Sequence, residues 1–417
     1  MRTRSLGPHL SLCLLTALLC ACQASTPGTA TPGALDSLTP SPALTRPAVG
    51  SPTPEASVTP APGVTPLLPP KPSAEEAGAD YVVVYSDTSR TESAMAALME
   101  ERPGLVAETY TLSSEDVYLQ LLADLDNLQP LADVYLVSDG PRTLSLLADG
   151  TLANAPPAAL YSALASDDRE PLLTHHWTAV TWVSTGAATE EGALDTWWDL
   201  TRPDWAGRVV LPDPTVDERT LLLLVAAARE GDAFAEAYQR EFGRAIRLDA
   251  DCPGAGWQWV KALMANAPLL VLNDAEVLAQ LASAEAAAGM AGLCGSEMWE
   301  KAARTPVALR PLVELQPSAG LKWRSYLAQV SSSPHPWAAR LAIEWLMGDA
   351  AGGGGYAVWY KAGFYPARTD VPDPPGAPER ALLEQRLWEV DGTSLAGELQ
   401  AMRDLVTPYV GHPVGGR

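Results

Sequence analysis

From Tyr81 onward, short β-branched runs alternate with amphipathic stretches, and this alternation limits the body of the chain to an α/β architecture. Tyr81-Val-Val-Val-Tyr85 reads as a strand ending in Ser86-Asp87-Thr88-Ser89, residue types that cap helices. Glu92 to Glu101 follows as a helix with Met95, Leu98 and Met99 on one face, stopped by Pro103-Gly104. Leu105 to Leu112 is a second strand, Glu115 to Leu125 a second helix, and Asp133 to Val137 a third strand closed by Ser138-Asp139-Gly140. Polar joints at the strand ends make this an open, largely parallel sheet. His175 to Ser184 is a longer strand, after which a second α/β unit runs through Leu293. Two such units joined by a long strand imply two lobes with a hinge.

Sheets of this kind bind ligands beyond the carboxyl ends of their strands, where helix N-termini offer free N–H groups. Ser86, Asp87, Thr88, Ser138 and Asp139 fall at those ends in the first unit. Asp213-Pro214-Thr215 and Asn273-Asp274 precede helices of the second unit and would face them across a cleft. Each of these residues can equally cap its own helix, and both roles can coexist.

The first 80 residues have a different character. Arg2 and Arg4 precede a short apolar run, Leu10 to Leu19, too short for a permanent membrane span. The run ends in Leu19-Cys20-Ala21-Cys22, which resembles a bacterial lipobox; residues 1–21 would then be a lipoprotein signal peptide and Cys22 the lipidated residue. Residues 23–79 are almost entirely Pro, Thr, Ser, Ala and Gly, with too little apolar surface to offset ordering entropy. A disordered tether with PPII character, open to O-glycosylation, is expected there. As a flexible coil it would reach roughly 40 Å from its anchor.

Several segments beyond Tyr81 resemble, in order, the ferric-ion-binding group of bacterial ABC-importer solute-binding proteins. They are Val82 to Tyr85 with its Ser/Thr turn, Asp133 to Asp139, and Trp198-Asp-Leu-Thr-Arg-Pro-Asp-Trp-Ala-Gly207 followed by Arg208-Val-Val-Leu-Pro-Asp-Pro-Thr215. Ser333 to Ala339 and Ala362-Gly-Phe-Tyr-Pro-Ala-Arg368 complete the set. The resemblance implies a type 2 periplasmic-binding-protein clamp over residues 80–417. One lobe would comprise about 80–178 and 310–368, the other about 183–305, with C-terminal helices at about 379–407 packing on the second. It also implies ligand capture in the interlobe cleft, hinge closure and delivery to a membrane permease. Ferric-binding members carry two adjacent tyrosines where this chain has Cys294-Gly-Ser-Glu-Met298. Ferric iron favours hard oxygen anions such as phenolate. The place keeps Ser296 as a candidate ligand residue but lacks the phenolate pair, so an iron complex or an anion of the phosphate or phosphonate class is expected in place of bare iron.

Other features narrow the function. A formal net charge of -22 repels phosphate backbones and disfavours nucleic-acid binding. No Gly-x-Ser-x-Gly elbow or His-Glu-x-x-His motif occurs, so no catalytic residue is assigned and an α/β enzyme is the minority reading. His175-His176 lacks companion metal ligands and reads as hinge-strand histidines with satisfied hydrogen bonds; neither metal nor cofactor is expected. Gly352 to Gly355 reads as a turn and not a phosphate loop. Trp197, Trp198 and Trp205 read as core, whereas Trp177, Trp182, Trp299 and Trp323 are positioned to stack on a ligand. Cleft tryptophans with acidic neighbours would suit a polyamine, leaving that class as the alternative. A sensory lipoprotein of the same fold is a further alternative. Cys252 and Cys294 could bridge in an oxidising compartment, or remain as buried thiols. A monomer, anchored by lipid on the extracytoplasmic face of the membrane, completes the expectation.

Overall fold

The computed structural model describes residues 81–127, 131–185, 194–283, 289–302, 304, 309–390 and 395–410. The signal peptide, Cys22 and the tether lie outside the described residues.

The first lobe is built on β1 (Tyr81–Ser86), β2 (Val106–Thr111) and β3 (Val134–Val137), with α1 (Arg90–Glu101), α2 (Ser114–Asp126) and α3 (Gly140–Ala148) as the connecting helices. β1 pairs in parallel with both β2 and β3. Being covered on both faces, β1 is apolar from Val82 to Tyr85 and sorts these side chains by parity. Val82 and Val84 pack with Met95 and Leu98 of α1, whereas Val83 and Tyr85 pack with Val117 and Leu121 of α2. The short β4 (Leu152–Ala153) and α4 (Ser166–Arg169) lead to β5 (Thr174–Ser184), which is buried along its whole length.

The second lobe contains β6 (Val209–Pro212), α5 (Glu218–Arg229), α6 (Gly231–Phe242), α7 (Ala255–Ala265), β7 (Leu269–Val271), α8 (Asp274–Leu281), β8 (Ala291–Gly295) and α9 (Met298–Ala302). Its core clusters Trp197, Phe234 and Trp259 with the apolar face of α5. Trp197, Trp198 and Trp205 are all buried there, as their place in the sequence suggested. The chain returns through β9 (Arg310–Pro311) and β10 (Gly320–Val330), then α10 (Pro336–Leu346), β11 (Tyr365–Pro366), α11 (Arg380–Glu384), β12 (Leu387–Trp388) and α12 (Ala396–Val406). Leu395, Met402 and Val406 join the core formed by α5.

Among the described residues the strands form one sheet with the path β2-β1-β3-β10-β5-β8-β6-β7. The two long central strands are antiparallel neighbours and cross between the lobes. β5 pairs with β10 over Thr174–Thr181 and with β8 over Val180–Ser184, while β10 pairs with β5 first and then with β3. The return crossing therefore lies in β10 and not near residue 310, because Arg310 and Pro311 still pair with Ser184 and Val183. A register shift interrupts the β5–β10 ladder between Ser325 and Tyr326. Such a bulge re-aims a side chain without ending the strand.

Of the two arrangements open to the body cysteines, the structure has the unbridged one: Cys252 and Cys294 are both free and buried. Cys294 lies within β8 and points into the cluster of Trp177, Met290 and Met298. Cys252 sits in the loop before α7, its sulfur nearest the Asp251 carboxylate. Each thiol is occupied by its own surroundings, so no bridge closes the chain segment between them.

Candidate functional site

A cleft of about 800 Å³ opens between the lobes. One wall comes from the carboxyl ends of β1 and β3 and the first turns of α1, α2 and α3, with Asp87, Thr88, Ser89, Arg90, Ser138 and Asp139. The other comes from the start of α5 and from the turn between β8 and α9, with Asp217, Glu218, Arg219, Glu297 and Lys301. His176 and Thr178 of β5 and Trp323 and Ser325 of β10 form the floor, joined by Trp359 and Phe364.

The charged groups are largely paired. Arg142 Nη1 lies 2.5 Å from Asp139 Oδ2 and 3.2 Å from Glu218 Oε2, linking α3 to α5. Arg219 reaches Glu297 and Asp274, both at 2.6 Å. Burial alone would weaken the Arg219 cation, but these carboxylates outweigh it and hold its pKa well above the ordinary value. Glu218 is pushed upward by burial and by Asp139, against the pull of Arg142. Asp87 is different. Burial raises its pKa, and the opposing groups are hydrogen-bond donors and not a cation: Ser138 N and Ser114 Oγ each donate to Oδ2 at 2.8 Å. A desolvated carboxylate so placed favours a donor from the cleft.

Three of the four helix starts at the cleft are already satisfied by their own side chains. Ser113 accepts from Asp116 N, Asp139 from Arg142 N and Asp217 from Thr220 N. The start of α1 is held more loosely: Ser89 makes no side-chain cap bond, and Thr88 Oγ1 accepts from Arg90 N at 3.4 Å. Arg90 extends from that turn, donating to the Val358 carbonyl at 2.8 Å and lying 4.5 Å over the Phe364 ring. A loosely capped helix start beside a guanidinium suits a negatively charged group.

Asp87, Thr88, Ser138 and Asp139 are brought to the cleft, as their strand-end positions suggested. The other expected site residues do not line the cleft. Ser86 is buried with its Oγ 2.7 Å from Thr91 Oγ1. Asp213 closes a local turn by accepting from Thr215 N and Oγ1, and neither residue lines the cleft. Asn273 caps α8, and Asp274 stands behind Arg219 while accepting from Gly295 N. Ser296 is fully buried, accepting from Ala179 N and donating to the Gly363 carbonyl. Of the tryptophans placed near the hinge, Trp323 lines the cleft; Trp177 stacks on Tyr365, and Trp182 and Trp299 are buried. Arg90, Glu218, Arg219, Glu297, Trp359 and Phe364 escaped the sequence reading. Arg90 directly follows the Ser/Thr turn and Glu297 directly follows Ser296, so adjacency was the available signal.

The family model for bacterial extracellular solute-binding proteins matches residues 81–364. Solved structures share the fold at low identity. Iron-bound HitA from Pseudomonas aeruginosa is 18% identical with a TM-score of 0.58, covering 78% of this chain and 99% of that one. A substrate-binding protein of an ABC transporter from Agrobacterium tumefaciens is 14% identical with a TM-score of 0.58, covering 79% and 95%. AfuA from Actinobacillus pleuropneumoniae, with fructose-6-phosphate bound, is 15% identical with a TM-score of 0.54, covering 79% and 97%. No curated protein matches the sequence. Among the described residues, no helix is long and apolar enough to cross a membrane. With the family model spanning both lobes and the cleft between them, the chain belongs to the bacterial extracellular solute-binding proteins.

Proposed function

We propose that this protein is the capturing receptor of an ABC importer, that it takes a small organic anion between its lobes, and that it delivers this solute to a membrane permease. The observation carrying the anion is the loosely capped start of α1, with Arg90 beside it, on the wall of the cleft. An organic anion of the phosphate or phosphonate class fits that wall better than bare ferric ion. By the resemblance drawn from the sequence, Cys294 to Met298 stands where ferric-binding members would carry a tyrosine pair, and no tyrosine is among the described residues lining the cleft. AfuA, a structural neighbour crystallised with fructose-6-phosphate, is a precedent for a phosphorylated organic solute in this fold. The acidic lining, with Asp87, Asp217, Glu218 and Glu297 near Trp323, favours a polyamine as the second reading.

A thermal-shift screen of the full chain against organic phosphates, phosphonates, ferric complexes, polyamines and sugars tests the assignment. A solute held at 100 times its dissociation constant stabilises by about 2.7 kcal/mol, a shift that is easily read. Response to organic phosphates or phosphonates is the expected result, and response to polyamines alone would overturn it.

The receptor acts at the membrane if residues 1–21 are removed and Cys22 is acylated. Cys22→Ser is expected to leave the precursor uncleaved or the product free of the membrane fraction. Unchanged partition of that variant would remove lipidation from the account.

A further inference from the structure

The floor of the cleft carries a hydrogen-bond chain whose direction can be deduced. His175 Nε2 lies 2.9 Å from the Leu346 carbonyl oxygen. A carbonyl only accepts, so this nitrogen carries a proton. Burial, against that hydrogen bond, pushes the His175 pKa down to about 4, which leaves the ring neutral at pH 7 and its Nδ1 bare. His176 Nδ1, 2.7 Å away, must therefore donate to it. Burial first, then His175 and Arg90, keep His176 neutral as well, so its Nε2 is an acceptor. Ser325 Oγ stands 3.2 Å from that nitrogen and donates to it. With its single proton so engaged, Ser325 accepts from Ser138 Oγ at 2.7 Å.

The reverse direction fails. A proton on His176 Nε2 would leave Nδ1 bare and require His175 to donate from Nδ1. A neutral His175 would then face the Leu346 carbonyl with a lone pair, in a fully buried setting where such a clash is costly. The bulge between Ser325 and Tyr326 aims Ser325 at both His176 and Ser138. His175, His176 and Ser325 are all buried, whereas Ser138 is half-buried at the cleft wall. The Asp87 carboxylate beside Ser138 can draw only on the same hydroxyl proton, so none is left for a solute.

We propose that the relay through His175, His176 and Ser325 fixes Ser138 Oγ as an acceptor, so that this wall selects a solute bearing an ammonium or hydroxyl donor next to its anionic group. The donor sits against Ser138 Oγ and the Asp87 carboxylate, and the anion at the start of α1, two residues further along the chain. The inference rests on the organic-anion reading and narrows it to anions with a neighbouring donor. His176 and Ser325 are positioning residues in this scheme, and Ser138 makes the contact.

Two measurements on the full chain test it. Histidine labelled with ¹⁵N reports tautomers directly, with His175 and His176 told apart by connecting each ring to its own backbone amide in the sequential assignment. At pH 7 His175 is expected as the Nε2–H form and His176 as the Nδ1–H form; His176 in the Nε2–H form overturns the relay whatever the solute. The second measurement compares affinities for O-phosphoethanolamine, glycerol 3-phosphate and ethyl phosphate, which present an ammonium, hydroxyls or neither beside one phosphate. Either donor-bearing compound should bind about tenfold more tightly than ethyl phosphate, the size of one strong hydrogen bond. Ser138→Ala should remove that preference. Equal binding of all three, or a preference unchanged in Ser138→Ala, overturns donor selection and leaves anion capture standing. Binding of none overturns the anionic class as well.

Discussion

Arg142 on α3 and Glu218 on α5 meet at 3.2 Å across the cleft, so an ion pair links the two walls that a solute must part, as the looser Arg90–Glu300 pair at 4.0 Å also does. Both side chains are about one-third exposed, at 33% and 34%, and solvent screening holds such a pair to about 1 kcal/mol or less. Glu218→Gln is therefore expected to speed solute release by no more than about fivefold, with little change in folding stability. Stopped-flow release at low and high salt checks this, because the difference between wild type and variant should shrink as salt rises. A hundredfold effect would assign Glu218 to the solute and not to the lobe contact.

The histidine pair makes stability depend on pH. His175 has its folded pKa lowered from 6.5 to about 4, so the unfolded chain binds more protons between those values. Its contribution is complete above pH 6.5 and declines as pH falls toward 4. The span corresponds to roughly 3 kcal/mol at most. Arg90, Tyr356 and Trp359 face the pair, and none of them titrates in this window. Chemical denaturation from pH 7 to pH 4 should show the loss, and His175→Gln should flatten it; equal slopes in the two proteins would contradict the assignment.

Gly363 is locked by Ser296. It has φ +93°, and a Cβ there would lie 1.9 Å from the Ser296 carbonyl oxygen. Ser296 in turn donates to the Gly363 carbonyl at 2.5 Å. Gly363→Ala should destabilise the fold by about 1–3 kcal/mol and displace Glu297 from the cleft wall. Denaturant midpoints check the first effect and solute affinity the second.

Both body thiols should be found free. Burial, aided by Asp274 and Glu297, pushes the Cys294 thiol well up, and burial with Asp251 raises Cys252. Peptide mapping without reductant, after alkylation in denaturant, should recover separate alkylated peptides for Cys252 and Cys294. A linked peptide would contradict the arrangement seen here.

Much of the frame was readable from residue pattern because it rests on local rules. The parity of Val82 to Tyr85 and the polar residues after β1 and β3 follow from burial of a parallel strand and capping of the next helix. Asp87 and Ser138 reached the cleft for that reason. Asp213 and Asn273 have the same local signature but satisfy only their own turn and helix, and pattern alone does not distinguish the two outcomes. Arg219, Trp359 and Phe364 depend on how distant segments meet. The return crossing was misplaced because β9, β10 and β12 pair with strands far away in sequence. The free cysteines show the same limit, since chain separation says nothing about whether two sulfurs point toward each other.

The central claim, that the start of α1 holds the anionic end of the solute, is tested most directly by Ser89→Asp. Ser89 is exposed at the start of α1 and makes no side-chain cap bond, so an aspartate there complements the helix dipole. The fold should become more stable by a few tenths to about 1 kcal/mol. The same carboxylate would repel an anion, and calorimetric affinity for O-phosphoethanolamine or glycerol 3-phosphate should fall at least tenfold. Greater stability with lost affinity is the predicted result; greater stability with undiminished affinity would contradict the account.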